Sequence, residues 1–210
     1  MRRTRKRFCV RKKLQNTCNL LIKNIGAIQI GTPQQFPYGW RKAAKGRTVW
    51  RIIEEIITQN LEKYHLRFKV DNVEPSDSEV SVYDMKCTYA DKCAYINIKS
   101  AVDGGKRQKD DISKAVGLKE FYSEDKERQF FVATFFLKFN PNMSVEISKV
   151  VVFPIAWIPD VYVNPSNNGN LQSAYYKDLD DAIRRTNKEF IPLLDDAINV
   201  ANQKKKAKKQ

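Results

Sequence analysis

Read from the N-terminus, the chain switches between the 3.6-residue period of amphipathic helices and the two-residue period of strands, and that order predicts an α/β protein. The clearest helix runs from Thr48 to Tyr64, where Val49, Trp50, Ile53, Ile56, Ile57, Leu61 and Tyr64 share one broad face and Thr48 is placed to cap the first turn. Strands are expected at about 66–70, 79–89 and 93–100, and Gly104-Gly105 interrupts the chain before a helix of about 110–121. Gln129 to Phe139 reads as an apolar strand followed by another from Val145 to Phe153, and two helices near 174–186 and 188–202 close the pattern. Residues 14–30 form an apolar element of open type. The first 13 residues read as a mobile basic arm and Lys204 to Gln210 as a basic tail. A chain of 210 residues has room for one substantial core, so a single domain over 1–203 is expected.

Within this pattern one segment concentrates chemistry. Asp84 to Tyr89 and Cys93 to Ser100 read as two strands joined by the polar turn Ala90-Asp91-Lys92. Alternation puts Asn97 and Lys99 on one face and turns Ile96 and Ile98 to the core, and pairing of the strands would set Asp84 near Asn97. A carboxylate, an amide oxygen, the carbonyl of Ile98 and an ammonium would then converge. Oxygen ligands of this kind suit Mg2+, and the lysine could orient a water for attack on a phosphodiester. On the helix upstream, Glu54 borders the apolar face whereas Glu55 points away, so Glu54 is the better candidate for a carboxylate held beside the hairpin. The reading that competes with all of this is an ordinary half-buried hairpin with solvated charges.

Charge changes the picture next. Residues 1–53 hold 14 Lys and Arg and no acid, which equals the formal net charge of +14 for the whole chain. Such asymmetry favours a polyanionic partner, or else only solubility. In Gly31 to Arg47 the basic residues alternate with flat side chains; Gln34, Gln35, Tyr38, Arg41 and Lys42 are candidate contacts to phosphates and sugar edges. Lys106, Arg107 and Lys109, just after the strand bearing Lys99, are candidate phosphate clamps. The polar loop NPSNNGNLQS carries Asn164, Ser166, Asn167, Asn168, Gly169, Asn170, Gln172 and Ser173, residue types that read base edges, although a plain surface loop has a similar composition.

Other classes recede. No apolar run approaches the roughly 20 residues of a membrane span, and the basic start lacks the apolar core and cleavage site of an export signal. The four cysteines form no C-x-x-C pair and His65 is the only histidine, so no zinc site and reduced cytoplasmic thiols are expected. His65 has no acid or serine beside it and reads as a loop or helix-end histidine.

Tyr83-Asp84 followed by Asn97-Ile98-Lys99 resembles the hallmark of the PD-(D/E)XK nuclease superfamily, an acid at a strand start followed by (D/E)-X-K on the neighbouring strand. Tyrosine stands at the motif's loosely kept proline, and asparagine at its second acid. Val150 to Asp181, VVVFPIAWIPDVYVNPSNNGNLQSAYYKDLDD, is similar to the strand, recognition loop and helix start of EcoRV-like restriction endonucleases, and the helix bearing Glu54 and Glu55 sits where those enzymes keep an extra active-site glutamate. The resemblance covers roughly residues 46–190. It implies an α/β fold with a mixed central sheet flanked by helices. The implied activity is Mg2+-dependent cleavage of double-stranded DNA at a specific, palindromic site by a homodimer, as in type II restriction. Asp84, Asn97 and the Ile98 carbonyl would be metal ligands, with Lys99 and Glu54 as further catalytic groups. Asn97 leaves two explanations open: a family member that tolerates a neutral ligand, or an acid-to-amide substitution. Two other functions also stay open, a structure-directed repair or recombination nuclease and a non-catalytic DNA-binding protein on the nuclease scaffold.

Overall fold

The computed structural model describes residues 2–41, 45–76, 78, 81–166 and 168–207. Its centre is a six-stranded mixed sheet in the order β1-β7-β6-β4-β3-β2, formed by β1 (Ala27–Gln29), β2 (Asn72–Pro75), β3 (Met85–Tyr89), β4 (Lys92–Val102), β6 (Gln129–Phe139) and β7 (Ser144–Pro154). Only β4 and β6 run parallel; the other neighbours are antiparallel. A parallel pair needs a crossover, and residues 103–128 supply it through β5 (Asp110–Lys114) and α3 (Ala115–Glu124). A second sheet of three strands, β5-β9-β8, is completed by β8 (Tyr162–Val163) and β9 (Asn170–Ser173).

Helices cover both faces of the large sheet. On one side α1 (Arg2–Ile25) and α2 (Lys45–Tyr64) bury Leu14, Leu21, Ile53, Ile57 and Leu61 against Ile96, Ile98, Phe131 and Phe135. On the other, α3 and α4 (Asn187–Ala207) bury Leu118, Phe121, Phe190 and Leu194 against Phe130, Val132 and Phe153. The expected mixed sheet flanked by helices is therefore present. Among the described residues no helix is long and apolar enough to cross a membrane.

Several expected boundaries move. The basic start is no arm: α1 begins at Arg2, and Val10, Leu14, Cys18 and Leu21 form a buried stripe at helical spacing. The charges at Arg11, Lys12 and Lys13 sit between those apolar positions without interrupting the period. Gln15 fastens the helix to β7, donating to the Val150 carbonyl at 2.8 Å and accepting from the Val152 N–H at 3.0 Å. Leu14 is fully enclosed, so Leu14→Ala should cost about 2–5 kcal/mol in denaturant unfolding; a loss under 1 kcal/mol would mean that α1 does not belong to the core. The open element at 14–30 resolves into the end of α1 and strand β1.

The helix expected from Thr48 begins at Lys45, which places Thr48 inside α2 and not at its cap. Residues His65–Phe68 form a 3-10 turn where a strand was expected, and β3 starts at Met85. The expected helix at 110–121 divides: Asp110–Lys114 alternates around buried Ile112 and pairs with β9, and only then does α3 begin. Residues 174–186 are not helical. Their backbone is claimed by tertiary partners, with the Ala174 N–H donating to Asp160, Trp157 Nε1 donating to the Arg185 carbonyl, and Arg185 donating to the Ile158 carbonyl. The last helix runs to Ala207, so it takes in most of the expected basic tail; residues 208–210 lie outside the described residues.

Candidate functional site

The β3–β4 hairpin has the expected register. Met85 faces Ile96, and the Asp84 N–H donates to the Ile96 carbonyl at 2.8 Å, which brings Asp84 to the stretch of β4 that holds Asn97 and Ile98. Strand β3 ends here while β4 continues alongside β6 to Val102. That leaves the β3 side of β4 open beyond Asn97, and the Asp84 carboxylate fills the gap by accepting the Ile98 N–H at 2.5 Å. The N–H and C=O of one strand residue point to the same side, so the Ile98 carbonyl faces this opening too. The Ile96 and Ile98 side chains are buried against α1 and α2, as alternation requires.

Asn97 is 7% exposed. Its Nδ2 donates to the Val82 carbonyl at 3.1 Å, while its Oδ1 is buried without a hydrogen-bond partner among the described residues. Lys99 follows on the same face, beside Thr134 of β6, whose buried hydroxyl also lacks a partner. Lys99 and Glu54 both line a cleft of about 640 Å³ that runs from the end of β4 to the 174–178 segment. Glu55 is exposed and accepts from Gln59 at 2.6 Å, so Glu54 is the glutamate turned to the hairpin.

The electrostatics follow from burial. Loss of water pushes the Asp84 carboxyl above its usual range, opposed by the Ile98 N–H and by the charges of Lys99 and Arg51. Glu54 is pushed up to about 7, chiefly by burial and then by Asp84, with Lys99 and Arg51 again opposing. Two crowded carboxylates short of compensation, together with an orphaned amide oxygen, make an oxygen-only donor set. That set fits a hard divalent cation. Among the described residues no group of three His, Cys, Asp or Glu side chains forms a metal cluster, so any such site rests on Asp84, Glu54, Asn97 Oδ1 and main-chain oxygen.

Other expected contacts lie farther out and are already engaged. Arg107 lines the cleft, pairs with Asp181 at 2.8 Å and Asp178 at 3.7 Å, and lies over the Tyr175 ring. Lys106 also lines the cleft, and Lys109 sits 4.2 Å from the Tyr162 ring centroid. The Asn-rich segment becomes the β8–β9 hairpin. There Asn164 accepts the Ser166 N–H, Gly169 takes the left-handed φ of 57° that the turn needs, and Asn168 is exposed. Asn170 and Gln172 both donate to Asp111, at 2.9 and 2.6 Å. Ser173 corrects the expectation of a base contact: it is fully buried and bonded to Asp160, because strand alternation turns it inward with Leu171. Asn167 lies outside the described residues, as does Lys42.

Gln34, Gln35, Tyr38 and Arg41 are not gathered at the hairpin. Their segment is anchored to the β6–β7 turn through Trp40, whose Nε1 donates to the Asn140 carbonyl at 2.9 Å. Gln35 accepts the Thr32 N–H, Gln34 is exposed, and Tyr38 is 82% exposed with the Arg41 guanidinium 5.6 Å from its ring. Sequence reasoning missed Trp50 and Arg51. The signal was available, since Trp50 precedes Glu54 by one helical turn and must share its side of α2. Lys149 and Lys177, which also line the cleft, come from distant parts of the chain and left no local sign. No known protein family matches this chain, and no curated protein matches it.

Proposed function

We propose that this protein is a Mg2+-dependent endonuclease of the PD-(D/E)XK type that cuts double-stranded DNA at a specific, palindromic site as a homodimer, in the manner of type II restriction enzymes. The observation that carries the reading is the end of β3: the Asp84 carboxylate is bound to the Ile98 N–H, with Asn97 and Lys99 on either side and Glu54 close enough to feel its charge. Asp84, Asn97 Oδ1 and the Ile98 carbonyl would hold the ion, which would supply a Lewis acid for the developing phosphate charge. Lys99 donates to and orients the attacking water, holding its oxygen toward phosphorus. Glu54 keeps the cleft anionic beside the ion and is placed to hold a proton near neutral pH. In-line attack leaves a 5′-phosphate and a 3′-hydroxyl. The basic N-terminal stretch and cleft lysines would draw the duplex in by its phosphates.

A mixed library of duplexes incubated with the protein and Mg2+, followed by sequencing of the ends, tests the proposal directly. Recurrent ends at one short palindrome, bearing 5′-phosphates and absent in chelator, are expected. Ends scattered at flaps or junctions would favour a repair nuclease. No ends with any divalent metal would remove the catalytic assignment.

One observation favours a second reading, a DNA-binding protein that keeps the nuclease scaffold without its chemistry. The Asn97 amide makes a hydrogen bond to the Val82 carbonyl that no carboxylate could make. Asparagine is thus structurally accommodated at this position.

A further inference from the structure

The first described turns of α2 carry Trp50, Arg51 and Glu54, and Trp50 and Glu54 line the same cleft as Lys99. Arg51 is exposed, and its guanidinium carbon lies 4.0 Å from the Trp50 ring centroid. Stacking of this kind occupies the face of the guanidinium and leaves the N–H donors on its edge available. Among the described residues no carboxylate lies within ion-pair distance of Arg51. Its charge nevertheless reaches the site, for it opposes the rise of both Glu54 and Asp84. Arg107, the arginine among the residues lining the cleft, is tied to Asp178 and Asp181. Arg51 is therefore a cation held over a ring that lines the cleft, and among the described residues it makes no ion pair.

We propose that Arg51, held over the Trp50 ring, binds a backbone phosphate of the nucleic acid beside the cleft that Trp50 and Lys99 line. This rests on the DNA reading above and adds to it a specific phosphate contact outside the Asp84–Asn97–Lys99 hairpin. A planar fork suits two phosphate oxygens at once, which a lysine does not reproduce. Trp50 acts as a positioning residue by holding the guanidinium plane.

The test is equilibrium binding of the full chain to a mixed-sequence DNA duplex, without divalent cation, across a salt titration. Arg51→Ala should weaken binding about tenfold, the size of one charge-assisted hydrogen-bonded contact. It should also reduce the log-log salt slope by about 0.9, as loss of one phosphate contact requires. Arg51→Lys should keep the slope but recover only part of the affinity, and Trp50→Leu should keep the slope while weakening binding. Arg67, stacked on Tyr64 beyond the far end of α2, serves as the control, and Arg67→Ala should leave the slope unaltered. A structural role for Arg51 would change melting temperature and not the slope. If the unaltered chain binds duplex and Arg51→Ala has the same slope and affinity, the Arg51 assignment is wrong while the DNA reading stands. If the unaltered chain does not bind duplex at all, both fall.

Discussion

Lys99→Ala should abolish DNA cleavage while leaving duplex affinity within a few-fold of the starting protein. Lys99 lies one residue beyond the Asp84–Ile98 bond, faces the cleft, and is the cation whose charge is felt first by Glu54 after Asp84. On the proposed mechanism, removing it takes away the donor that orients the attacking water, and groups of this kind are worth about 10²–10⁴ in rate. Binding to DNA as proposed would draw on many phosphate contacts, for which the basic first 53 residues supply charge, and one lysine would be a small share of them. Single-turnover cleavage and gel-shift titration with the same duplex separate the two quantities. Undiminished cleavage by the alanine variant would take the catalytic assignment away from this hairpin.

Asn97→Asp should change metal affinity and stability in opposite directions according to whether Mg2+ is present. In chelator the new carboxylate loses the amide donor to the Val82 carbonyl and is buried beside Asp84. The fold should weaken by about 1–3 kcal/mol. With Mg2+ the same carboxylate would serve as a second anionic ligand, tightening binding and restoring stability by linkage, about 2.7 kcal/mol when the ion is at 100 times its dissociation constant. Cleavage at sub-saturating Mg2+ should accelerate by about the factor by which Mg2+ binding tightens, because the ion that offsets charge on the phosphate is held in a larger share of the molecules. Thermal melts and a Mg2+ titration of cleavage, run on both chains, read all three effects. A variant that melts identically with and without Mg2+ and cuts no faster would show that residue 97 is not a metal ligand.

The parts of the fold that were legible in the sequence are those set by local period and turn chemistry. Strand β6 covers the expected span from Gln129 to Phe139, and the turn at Ala90-Asp91, one residue shorter than expected since Lys92 pairs with Tyr89, locks the β3–β4 register, because shifting it by one residue would send Ile96 and Ile98 to the wrong face. Glu54 was separable from Glu55 by its angle to the apolar stripe. The placement of Asp84 was legible to the same depth: its carboxylate reaches the Ile98 N–H, between Asn97 and Lys99, because one tight turn joins two strands.

What tertiary structure alone decided depends on residues far apart in the chain. Five residues from Asp110 to Lys114 alternate too briefly to be told from a helix start, and only β9, about 60 positions away, makes them a strand. The segment 174–186 carries helix-forming residues, yet Asp160, Trp157 and Ile158 take up its backbone and side-chain groups. The same closure sets Asp111 against Asn170 and Gln172 and Asp178 and Asp181 against Arg107. Side chains that composition marks as available for a partner are therefore engaged within the protein itself. It also turns Ser173 into the core and lays the basic first helix across the sheet. Periodicity reports which face of an element is apolar, but which groups meet that face, and which polar groups find partners, depends on how the whole chain closes.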